Sequence, residues 1–72
     1  MRVLVFGKEA DLPERVIRLI EEAIRNEDYE RIKSLLRDAL GRDVPEEVER
    51  AKSFIIMYTK EAVIITETPV FG

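Results

Sequence analysis

The stretch VLVFGKEADLPERVIRLI, residues 3–20, decides how the chain is read, because the hydrophobic period changes inside it. Residues 2–7, RVLVFG, form a short apolar and β-branched run ended by Gly7, the pattern of a buried strand. Beyond it the period becomes helical over residues 11–28. Val16, Ile17, Ile20, Ala23 and Ile24 fall on one face with Leu19 at its margin, while Arg15, Arg18, Glu22 and Arg25 fall opposite. Asp11 and Glu14 stand three apart around Pro13, which predicts a capping box with acids at the positive end of the helix. Asp43, Pro45 and Glu46 repeat that arrangement. The echo of DLPERVIRLI in DVPEEVERAK is a shared way of starting a helix and not an internal repeat, since VIRLIEEAIRN and VERAKSFIIMY diverge past the cap.

Working outward, NED at residues 26–28 breaks the first helix. The segment YERIKSLLRDAL predicts a second, with Ile32, Leu35, Leu36, Ala39 and Leu40 as its apolar stripe and Gly41 as the left-handed residue that stops it. A third, short helix turns Val44, Val48 and Ala51 inward. SFIIMYT and AVIITET then read as two strands joined at Lys60 and Glu61. Neither of those residues readily takes positive φ, so the expected connection is a longer turn or a bulge involving Thr59 and Ala62. Pro69 is expected to stop or kink the last strand.

The expected fold is therefore α+β, a single domain over residues 1–72 in the order β-α-α-α-β-β. Its sheet is three-stranded and mixed, packed with three helices, with the first strand parallel to one member of the hairpin. Alternate residues of FIIMY are all apolar on both sides, as are those of VLVF, so both sheet faces call for a cover. Either the helices divide between the faces or a second copy covers one of them.

Composition narrows the chemistry. Of the 72 residues, 46% are hydrophobic and 38% charged, a balance that belongs to an ordered, compact chain. The net charge of −3 and the alternation of bases with acids argue against a phosphate backbone or an anionic bilayer as partner. No apolar run approaches a membrane span and no targeting segment is visible, so the default compartment is the cytoplasm. Without histidine or cysteine, imidazole bases, thiol nucleophiles and ordinary zinc sites are closed. Glu21 and Glu22, Glu27 and Asp28, and Glu46 and Glu47 are adjacent pairs, which do not converge on one point of a helix. They read as a solvated face with pairs such as Glu27 with Arg31 and Glu46 with Arg50. Gly7 and Lys8 stand where open α/β sheets bind phosphate, yet the further glycines are missing and Glu9, Asp11 and Glu14 oppose an anion. No catalytic, cofactor-binding or metal-ligating residue is assigned.

Two resemblances bear on function. The order strand, three helices, two strands resembles that of the Cro-type phage repressors, with LLRDALGRDVPEEVERAKSF in place of the helix-turn-helix. There Arg37 stands where a small residue is usual, Glu47 where an apolar one is, and Glu46, Glu47 and Glu49 would face the phosphates, so no nucleic acid is expected. The chain also looks like a computationally designed, idealised protein: no Gln or Trp, helices filled with Glu, Arg, Leu, Ile and Ala, acids at two helix starts and Gly at a stop. The KE turn, the IIMY run and the TETPVFG tail depart from that style. The resemblance implies a thermostable, non-enzymatic scaffold without cofactor or required partner, whose sequence serves its fold. The alternative is a small natural interaction module, thermophile-like, that self-associates or binds through an apolar sheet face drawn from Val3, Val5, Ile55, Met57, Val63 and Ile65 or their opposite set.

Overall fold

The computed structural model describes residues 1–68. Strands β1 (Arg2–Val5) and β2 (Lys8–Asp11) open the chain and are followed by helices α1 (Glu14–Arg25) and α2 (Tyr29–Leu40). A 3-10 turn (Gly41–Asp43), the short helix α3 (Glu46–Arg50) and strands β3 (Ile55–Tyr58) and β4 (Val63–Thr66) complete it. The class is α+β with three helices, but the sheet has four strands, ordered β2-β1-β4-β3. β1 lies parallel to β4, with Val3 opposite Val63 and Val5 opposite Ile65, while both outer strands are antiparallel to their neighbours.

The additional strand corrects the reading of residues 6–11. Val5 pairs with Lys8 across a two-residue turn, Phe6 and Gly7, in which both φ angles are positive, 50° and 81°. This is the backbone of a primed hairpin turn, whose twist suits antiparallel strands. Phenylalanine is a poor residue there, and its ring supplies the compensation by packing edge-on against Phe54, with centroids 6.0 Å apart. β2 itself, KEAD, buries almost nothing and carries three charges in four residues, so it has no strand signature in the sequence. Gly7 thus sits in a hairpin and not ahead of a helix, which removes the geometry of the phosphate-binding reading. The repressor-like element order goes with it.

The capping boxes are corrected too. α1 and α3 start after Pro13 and Pro45, which occupy the cap positions themselves, and neither has a side-chain cap. Asp11 lies in β2, opposite Arg2, and Asp43 lies in the 3-10 turn, so neither stands at a cap position. The side-chain cap that does form is Asp28, whose carboxylate accepts from Arg31 N–H at the start of α2 at 3.3 Å.

Between the helices the chain closes a Schellman motif. Asp28 N–H donates to Ala23 C=O at 2.9 Å and Glu27 N–H to Ile24 C=O at 3.0 Å, with Glu27 at φ 54° in the place usually taken by glycine. Leaving the helix there also takes Glu27 out of register for its expected pair with Arg31. Glu27→Gly is expected to stabilise the fold by about 0.5–1 kcal/mol, because the left-handed backbone strains any residue with a Cβ. A urea midpoint that falls instead of rising would contradict this.

The core lies between one sheet face and the helices. Val3, Val5, Val63 and Ile65 from the two central strands meet Ile17 and Ile20 of α1, Ile32 and Leu36 of α2, and Val48 of α3. Leu12, Ala51 and Phe54 close it at the connections. The helical stripes therefore face as their periodicity predicts, except that Ala39 is exposed. The 59–62 connection is the longer turn expected from its sequence: Thr59 N–H donates to Ala62 C=O at 3.0 Å, and the Thr59 hydroxyl bonds both backbone groups of Ala62. Gly41 ends α2 at φ 58°, as expected. Pro69 lies outside the described residues.

Candidate interaction surface

Strand alternation together with the register assigns every sheet residue to a face. Val3, Val5, Val63, Ile65 and Ile56 face the helices. On the other side stand Leu4 of β1, Ile64 of β4, and Ile55 and Met57 of β3, in a row set by the pairings Leu4 with Ile64 and Ile64 with Met57. No helix packs on that row, and none of its residues joins the core cluster. The expectation that both faces need covering is answered on one side only. The candidate face of the sequence reading is also resorted: Val3, Val5, Val63 and Ile65 are buried under the helices, whereas Ile55 and Met57 look the other way. One residue of register separates the two sets.

The open face is apolar along Leu4, Ile64, Met57 and Ile55 and polar around them, with Arg2 of β1, Thr66 of β4 and the acids of β2 on the same side. Glu9 and Asp11 lie on it at the β2 margin, Glu9 bound to Arg2 at 2.7 Å and Asp11 to the Met1 ammonium at 2.7 Å. A row of aliphatic and thioether side chains beside a charge-compensated margin can take up an apolar surface. It holds no arrangement for acid-base or nucleophilic work.

The two edges differ as well. β2 is guarded by charge, since Lys8 also reaches Asp43 at 4.0 Å. β3 carries no charged residue, and Met57 and Tyr58 are both large exposed apolar side chains, at 43% and 58%. α1 runs beside this edge. The Tyr58 phenol is pushed up to about 12, first by partial desolvation against the protein and then by the Glu21 carboxylate, with Arg18 opposing. A raised phenol value favours the neutral ring in the folded state, so its contribution is complete below pH ~10 and fades as the pH climbs toward ~12. Ultraviolet titration should find a phenolate midpoint near pH 12 for this ring, moving down in Glu21→Gln. A midpoint unmoved by that substitution would place Glu21 away from the hydroxyl.

Among the described residues no three Asp or Glu side chains gather as a metal-binding group, and no helix is long and apolar enough to cross a membrane. The glutamates of α3 turn to bases of the same chain, Glu49 to Arg37 at 2.8 Å and Glu46 to Arg50 at 3.9 Å. A groove beside β2, lined by Lys8, Glu9, Asp11, Leu40 and Asp43, mixes both charges without converging on a point. The sequence reading held Leu4 and Ile64 only within the opposite set, and only the strand register could join them to Ile55 and Met57 on one face. Neither a protein family, nor a curated protein, nor a solved structure matches this chain.

Proposed function

We propose that the protein is a non-enzymatic interaction module whose open sheet face docks an amphipathic helix of a partner protein. The observation that carries this reading is the uncovered apolar row Leu4, Ile64, Met57 and Ile55 on a sheet whose other face is fully packed. Stable two-layer and three-layer folds bury such faces against another element, and a helix is what covers the opposite face here. Glu9 and Asp11 at the β2 margin are already balanced by Arg2 and the Met1 ammonium, so the ligand helix is selected by its apolar ridge, and its polar flanks only keep it in water.

The test uses a synthetic amphipathic helix with a leucine ridge flanked by lysines, followed by methyl NMR. Saturable shifts confined to Leu4, Ile55, Met57 and Ile64, abolished by Ile64→Glu, are expected. Shifts that are absent, or that survive Ile64→Glu, would overturn the reading.

A second reading, a self-contained scaffold without a required partner, is supported by the core. Among the described residues no polar or charged side chain is buried and no buried polar side-chain atom lacks a partner, which is the consistency that idealised sequences aim for. Unfolding above about 90 °C combined with no response to the peptide would favour it.

A further inference from the structure

The bare edge strand and the helix beside it carry a second, separate inference. Thr59 N–H bonds to Ala62 C=O across the hairpin, and Ile65 C=O accepts from Phe6 N–H on the β1 side. Ladder alternation from these two bonds turns the backbone groups of Ile55 and Met57 toward β4 and those of Ile56 and Tyr58 outward, unpaired within the sheet. On α1 the ridge flanking this edge reads Glu14, Arg18, Glu21, Arg25, positions i, i+4, i+7 and i+11, of which the first three act electrostatically on the Tyr58 phenol. The order is acid, base, acid, base. Laid antiparallel against its own copy about the midpoint, such a ridge sets Glu14 opposite Arg25 and Arg18 opposite Glu21, each twice.

We propose that this edge pairs with a second copy of the chain. β3 joins β3 of the copy antiparallel across a twofold axis at Met57, so that each Ile56 lies opposite the copy's Tyr58 and the two α1 ridges face each other with opposite charges matched. The result is one continuous eight-stranded sheet, in which the charged β2 strands form the outer edges. An axis at Met57 rather than Ile56 keeps the middle of α1 level with it, since Arg18 and Glu21 both act on Tyr58. The joined edge shares Ile55 and Met57 with the open face, but the proposal rests on the outward backbone groups of β3 and the α1 ridge and not on what that face binds.

The absence of cysteine gives a clean test. Met57 would stand directly opposite its copy in a non-hydrogen-bonded pair, where the Cα atoms come within disulfide range. Met57→Cys is therefore expected to oxidise to a covalent dimer, and Lys8→Cys on the guarded edge is expected to stay monomeric. By sedimentation equilibrium the unmodified chain should dimerise reversibly with rising concentration. Arg18→Glu should weaken that at least tenfold, and adding Glu21→Arg should restore it, while Ile64→Glu should leave it unchanged. A strict monomer, equal cross-linking at both cysteine positions, or no rescue by the charge swap would overturn the proposal.

Discussion

Ile65→Lys is expected to unfold the protein at room temperature, while Ile64→Lys, one residue away on the same strand, leaves it folded. Ile65 is 0% exposed at the centre of the core, opposite both Val5 and Ile56. A lysine there loses the aliphatic burial, about 2–5 kcal/mol for truncation alone, and places an unpaired ammonium among apolar groups at a further cost of several kcal/mol. Small domains hold a net stability near the low end of about 5–15 kcal/mol. Ile64 points to the open face, where a lysine keeps its head in water and its stem on Leu4 and Met57. Its substitution is expected to change stability by about 1 kcal/mol or less. Circular dichroism with urea titration reads both, and comparable losses in the two variants would mean that the face assignment is wrong.

The second large effect is expected at Phe54, just ahead of β3. Its ring is 3% exposed and touches two others, Phe6 in the β1–β2 turn and Tyr29 at the start of α2, with centroids 6.0 and 6.3 Å away. It therefore ties the first hairpin to the helical hairpin at one end of the core. Phe54→Ala is expected to cost about 3–5 kcal/mol, lowering the melting temperature by some 15–30 °C in a domain of this size. The strained Phe6 turn should open first, because it loses the ring that offsets its positive φ. Hydrogen exchange that stays slow in β2 while the melting temperature falls would separate the two roles and reject the second.

The contrast between these sites shows what was legible in the sequence. Ile17, Ile20, Ile32 and Leu36 announce themselves by helical spacing, and all are buried as that spacing requires. The parallel placement of the first strand beside the last hairpin follows from element order, and the involvement of Thr59 and Ala62 in the turn follows from the reluctance of Lys60 and Glu61 to take positive φ. β2 left no trace, because an edge strand with one small apolar residue is specified by its partner's backbone and by the turn before it. Phe-Gly hid that turn, since the usual signal is a polar residue whose own backbone tolerates positive φ. The caps failed for a related reason. Asp11 and Asp43 have the right spacing, yet each proline fixes an extended entry at the cap itself and leaves the acid two residues too far back.

The open face was half legible. Alternation in VLVF and FIIMY shows that both sides are apolar, but it cannot say which side of β4 faces which side of β3, and that register decides whether Ile55 and Met57 belong with Val63 or with Ile64. Single-strand patterns carry no information about a pairing partner.

The parallel seam between β1 and β4 has a mechanical meaning. Force applied between Arg2 at the start of β1 and Thr66 at the end of β4 draws two neighbouring parallel strands past one another, so their evenly spaced bonds are loaded together in shear. Force applied between the two outer strands instead peels the sheet one bond at a time. The molecule should resist stretching along its sequence and yield readily across its width, a directional toughness that a pulling experiment with the two attachment geometries would register as high and low rupture forces.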